Sequence, residues 1–160
     1  MTLTGAPFAV DLRLARLNRG SAAVSGYAPP MATGTLYTFG YASLHGGGDL
    51  RELLGQRVEV VVDIRLRPYS RKRAFSLGTR DTVETAPYAY RWLGGLGNAE
   101  YRTGGMRLAR PEEIEVLIQL LADGTNVALM CACAEVTGCH RGLVAELAGE
   151  RLPGLTVVHL

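Results

Sequence analysis

All three cysteines of this chain, Cys131, Cys133 and Cys139, fall in one short window, and the last runs directly into His140 and Arg141. Thiols, an imidazole and a guanidinium gathered at one turn offer three kinds of chemistry. A thiolate beside cations can act as a nucleophile. Thiolates and an imidazole together can hold zinc. A guanidinium at a helix start can bind phosphate or carboxylate, because the first backbone N–H groups of a helix are unpaired and carry partial positive charge. The apolar run Val127 to Met130 feeds the window and a helix-like stretch, Arg141 to Glu150, leaves it, so it reads as strand, loop, helix.

Spacing weighs against the first two. Arg141 stands ten, eight and two residues after Cys131, Cys133 and Cys139, none of which matches the Cys-to-Arg spacing of the cysteine phosphatases. A zinc site must accept adjacent ligands at Cys139 and His140 and has no CxxC pair to start from. Alternatively the cysteines are small packing residues at a buried strand end, leaving His140 and Arg141 to face a ligand.

A second concentration of chemistry lies upstream. Arg65, Arg67, Arg71, Lys72, Arg73 and Arg80 are six cations with no Asp or Glu among them, either a solvated loop or a phosphate-facing surface. Pro68 biases Arg67 towards extended backbone, which favours a defined array. Asp63 closes the apolar run before this stretch and is expected at the mouth of a sheet, as an ion-pair partner of Arg65 or Arg141, a loop cap, or a general base. Arg141 has the matching alternatives, a tie to Asp63 or an anion ligand.

The elements that must position these groups alternate. Strands are expected over Thr35 to Tyr41, Val58 to Ile64, Tyr88 to Leu93, Val127 to Cys131 and Leu155 to Leu160. Helices are expected over Asp49 to Leu54, from Pro111 through an apolar face of Ile114, Leu117, Ile118 and Leu121, and over Arg141 to Gly149. The pattern implies an α/β fold, a mostly parallel sheet of about five strands with helices on both faces. The Gly-rich stretch Gly94 to Gly105 is expected as a loop, a lid or a set of tight turns. His45 beside its glycines reads as a loop residue, and His159 as structural. Tyr90 and Trp92 suit core packing better than stacking on a base.

Composition sets the outer bounds. With 160 residues, 48% hydrophobic and 20% charged, the chain suits one domain with one real core. Residues 1–34, with the Pro29-Pro30 pair, are expected to be a flexible extension of a domain over 35–160, with Met31 a candidate natural start. An odd cysteine count and an early apolar patch interrupted by Asp11, Arg13 and Arg16 imply reduced thiols in a cytoplasm. No apolar run reaches the roughly 20 residues of a membrane span. The Gly-Lys-Ser/Thr pattern of a phosphate loop is missing, and no cofactor is implied.

Taken in order, Tyr37-Thr38-Phe39-Gly40-Tyr41, Val62-Asp63-Ile64-Arg65 with Pro68, Ser70 and Arg71, Leu93-Gly94-Gly95, and the block from Cys131 to Cys139-His140-Arg141 resemble the bacterial domain of unknown function 488 family over residues 35–160. The resemblance implies a compact α/β domain with a site built from Asp63, Arg65, Arg71, Cys139, His140 and Arg141, and it implies no reaction. In relatives the position of Cys133 is often acidic, which speaks against a general Cys133 nucleophile.

The expectation is therefore an arginine-lined cleft for a phosphate-bearing substrate, a nucleotide or nucleic acid. Arg65, Arg71 and Arg141 hold the anion, Asp63 or His140 handles a proton, and Cys139 is nucleophile or packing. The competing expectations are a non-catalytic nucleic-acid-binding module using Arg65 to Arg80, and a small zinc-stabilised structural domain.

Overall fold

Apolar residues at successive positions, as in Val-Val-Val-Asp and Val-Ala-Leu-Met-Cys, bury both faces of a strand only where helices cover the sheet above and below. In the computed structural model, which describes residues 32–76 and 85–160, these two segments are adjacent strands at the middle of a five-stranded sheet. The strands are β1 (Leu36–Gly40), β2 (Val60–Asp63), β3 (Ala89–Trp92), β4 (Val127–Cys131) and β5 (Val157–His159). Their order is β3-β2-β4-β1-β5, and every pairing is parallel. The fold is α/β.

Among the described residues three helices cover the sheet: α1 (Gly47–Leu54), α2 (Ile114–Ala122) and α3 (His140–Arg151). Strand alternation divides the core in two. Leu36, Val62, Val127 and Leu129 pack with Leu117 and Leu121 of α2 and Val144 and Ala148 of α3. Phe39, Val61, Ala128 and Met130 pack on the other face with Leu50 and Leu54 of α1.

The expected elements are all present, with boundaries shifted. α1 begins at Gly47 rather than Asp49, and the Asp49 carboxylate instead accepts the backbone N–H of His45 at 2.8 Å. Pro111 opens a 3₁₀ turn, Pro111–Glu113, that precedes the α-helical part, a common form of a helix's first turn. Of the extension expected over 1–34, only 32–34 lie among the described residues. Gly34 is part of the fold: its N–H donates to Leu121 O at 2.8 Å, and a Cβ there would sit 1.9 Å from Thr125 O. Arg80 and the early apolar patch interrupted by Asp11, Arg13 and Arg16 lie outside the described residues.

β1 and β4 are neighbours, yet the helices that follow them, α1 and α3, pack on opposite faces. Adjacent strands whose connections part in this way leave a crevice beyond their carboxyl ends, where ligands of open α/β sheets gather.

Candidate functional site

A cleft of about 590 Å³ opens at that crevice, within the size range of small-molecule sites. The segment after β1 supplies Tyr41, the segment after β2 supplies Arg65, Leu66, Arg67 and Tyr69, the end of β4 supplies Cys131, and the turn after it supplies Ala132 and Cys133. Asn98, Tyr101 and Arg102 form the remaining wall and His140 comes from the start of α3. Three arginines and three tyrosines line the cleft, and among the described residues no Asp or Glu does.

The Gly-rich loop is that wall, not a lid. A Cβ on Gly97 would lie 2.4 Å from the backbone nitrogen of Leu66, so only glycine allows the loop to press against the segment after β2. Asn98 ties the loop to itself: its Oδ1 accepts the backbone N–H groups of Glu100 at 2.9 Å and Arg107 at 3.1 Å, and its Nδ2 donates to Gly105 O at 2.8 Å. The half-exposed Trp92 braces the opposite side, its Nε1 donating to Arg65 O at 2.9 Å.

Asp63 is fully buried and engaged by four donors. Its Oδ1 accepts the Arg65 backbone N–H at 3.0 Å and Arg65 Nε at 2.8 Å, while Oδ2 accepts Arg65 Nη2 at 2.6 Å and the Tyr90 hydroxyl at 2.8 Å. A carboxylate has about four lone-pair sites, so none is left for a substrate proton. Arg65 is equally committed: Nη1 donates to Phe75 O at 2.8 Å and the guanidinium carbon lies 4.9 Å from the centre of the Tyr41 ring. Burial disfavours its charge, but the hydrogen bonds and charge of Asp63 outweigh burial and hold its pKa above the ordinary value. Burial, then the charge of Asp63 and the hydrogen bond to it, raises the Tyr90 hydroxyl and keeps it a neutral donor.

The basic stretch therefore divides by role. Lys72 Nζ donates to the carbonyls of Tyr41, Ala42 and Leu44, closing the turn after β1. Arg67 lines the cleft, whereas Arg71 and Arg73 are exposed and do not.

At the turn after β4, Cys131 Sγ and Cys139 Sγ are 3.2 Å apart, and the sulfurs of Cys131, Cys133 and Cys139 all lie within 4.8 Å of one another. His140 Nδ1 faces the pair, at 3.8 Å from Cys131 Sγ and 3.9 Å from Cys139 Sγ, while its Nε2 lies 3.1 Å from Ile64 O. Cys139 is the N-cap of α3. Its thiol is pushed well down, first by the hydrogen bond from Cys131 and then by His140 and the backbone N–H of Arg141, against the opposing effect of burial. The Cys131 thiol moves up, first through its hydrogen bond with Cys139 and then through burial. Burial also raises Cys133, the one exposed cysteine.

Arg141 does not reach the cleft. It is 2% exposed, and its Nη1 and Nη2 donate to Cys133 O at 2.6 Å and Ala134 O at 2.8 Å. Gly40 makes room for this clamp: a Cβ there would lie 1.5 Å from Cys133 O and 2.8 Å from Arg141 Nη1. Of the groups expected to share a site, Arg65 and His140 line the cleft. Asp63 stands behind Arg65, and Cys139 behind Cys131 and His140. Arg71 and Arg141 are elsewhere. Tyr69, Tyr101 and Arg102 were missed, although the Gly-rich segment carrying the last two was the signal that this loop approaches another backbone. Trp92 and Tyr90 brace Arg65 and Asp63, and His159 Nδ1 pairs with Thr38 Oγ1 at 2.7 Å as a structural residue. Comparison of the chain with protein-family models, curated proteins and solved structures finds no match.

Proposed function

We propose that the cleft recognises a phosphate-bearing ligand that also carries a planar ring, a nucleotide or the end of a nucleic acid, with Arg67 and Arg102 as the anion ligands. One observation carries this: a lining that, among the described residues, has arginine and tyrosine but no carboxylate, at the carboxyl ends of parallel strands. Arg67 and Arg102 are exposed, and neither shares an ion pair with a carboxylate among the described residues. Arg102 instead lies 5.5 Å from the centre of the Tyr101 ring. Tyr69 and Tyr101, 71% and 60% exposed, offer ring faces beside these charges, as stacking on a base requires.

The residues first expected to move protons, Asp63 and His140, are engaged by protein groups, so recognition is the reading the geometry favours over turnover. The cleft's size favours a single nucleotide over a long strand. Titration of the full chain with inorganic phosphate and with a nucleoside monophosphate tests it. A charge-assisted hydrogen bond contributes about 1.5–3 kcal/mol, so Arg67→Ala and Arg102→Ala should each weaken nucleotide binding by about tenfold or more, and Arg71→Ala should not. Binding that follows Arg71 and Arg73 and ignores Arg67 and Arg102 overturns the assignment and favours the outer basic surface as a nucleic-acid-binding module.

A further inference from the structure

We propose that Cys131, Cys133, Cys139 and His140 bind one divalent ion of the zinc class, through three thiolates and His140 Nδ1. In tetrahedral zinc the sulfurs lie about 2.3 Å and a ring nitrogen about 2.0–2.1 Å from the ion, so neighbouring ligand atoms sit roughly 3.5–3.8 Å apart. The nitrogen-to-sulfur separations here, 3.8 and 3.9 Å, are within about 0.4 Å of that spacing. The sulfurs, 3.2 Å apart for Cys131 and Cys139 and within 4.8 Å for the set of three, bracket it. Adjacent ligands are possible because the backbone turns between them: Cys139 is extended, with φ −101° and ψ 139°, and His140 is the first residue of α3.

Two further observations point to an ion. The first is the orientation of the imidazole. With Nε2–H donating to Ile64 O at 3.1 Å, the lone pair is on Nδ1, facing the sulfurs, and metal-bound histidines almost always donate their other N–H in this way. The second is charge. Arg141 is buried beside the cluster, has no carboxylate partner among the described residues, and leaves its Nε without a hydrogen bond. A buried cation needs a counter-charge. A divalent ion with three thiolates and a neutral imidazole carries one net negative charge, which Arg141 balances. Binding releases the three thiol protons. Sulfur ligands select a soft or borderline ion over magnesium or calcium.

Four protein ligands close the coordination shell, so the ion pins the turn after β4 to the start of α3 instead of activating water. The assignment is independent of nucleotide recognition. The test is metal analysis of the full chain, purified reduced and dialysed, followed by replacement with cobalt(II). The expected result is one zinc per chain, and for cobalt the thiolate charge-transfer and intense ligand-field bands of tetrahedral sulfur coordination. Cys133→Ser, at an exposed position that tolerates change, should weaken metal binding by about tenfold or more, whereas Arg67→Ala should leave it unchanged. Folded, reduced protein that takes up no zinc or cobalt overturns the proposal. So does binding indifferent to Cys133→Ser, or isolation of the metal-free chain with Cys131 and Cys139 joined as a disulfide.

Discussion

Replacing Asp63 by Asn changes one buried charge and almost no volume, and it tests how the wall of the cleft is held. The carboxylate takes four hydrogen bonds, three of them from Arg65, and both partners are buried. The amide keeps one acceptor oxygen but turns an NH₂ towards Arg65 or Tyr90, and leaves the guanidinium charged without a counter-ion. Removing one partner of a buried ion pair costs about 3–5 kcal/mol. At about 3–4 °C per kcal/mol for a domain of this size, the melting temperature followed by circular dichroism should fall by roughly 9–20 °C. Replacing the whole group, Asp63→Leu with Arg65→Met and Tyr90→Phe, should recover more than half of the loss, because an apolar set of similar volume has no charge to desolvate. An Asp63→Asn protein that melts within about 3 °C of the wild type refutes the account of Arg65 as a clamped, charge-paired group.

Gly40→Ala forces a Cβ to within 1.5 Å of Cys133 O, so it should lower the melting temperature by roughly 10 °C and expose the thiols of the turn; an unchanged melt contradicts the close packing of β1 on that turn. Lys72→Met removes the donor to three carbonyls of a partly exposed turn, for which about 1 kcal/mol in a urea titration is expected, and a loss above about 3 kcal/mol means the lysine does more than close the turn. In folded, metal-free protein a maleimide should label Cys133 first, and Cys131 and Cys139 only on unfolding, because only Cys133 is exposed; equal labelling of all three contradicts the burial of the pair.

How much of this was legible in the sequence depended on whether the signal was local. β4 was read to the residue because Val127–Cys131 is apolar at every position; a mostly parallel sheet was expected from the alternation of strands and helices, and every pairing is parallel. Burial of polar groups was not legible. The Asp63–Arg65 ion pair was one of the alternatives read from the sequence and is present, but only the fold shows that Tyr90 and Phe75 complete it and that the carbonyls of Cys133 and Ala134 take up Arg141. The cleft's far wall was hidden for the same reason: Tyr101 and Arg102 reach it because Gly97 lies against Leu66, a contact across many residues that no periodicity records. The thiol cluster was visible, but two adjacent letters do not show that His140 Nδ1 faces the sulfurs of Cys131 and Cys139.

The most direct measurement of the central claim is a heteronuclear NMR titration of the full chain with a nucleoside monophosphate, following backbone amides together with the arginine side chains. Saturable shifts confined to Arg67, Tyr69, Tyr101, Arg102 and the turn at Ala132, abolished by Arg67→Ala with Arg102→Ala, are the predicted result. Shifts that stay on Arg71 and Arg73, or no saturable shift at all, contradict a nucleotide site in the cleft.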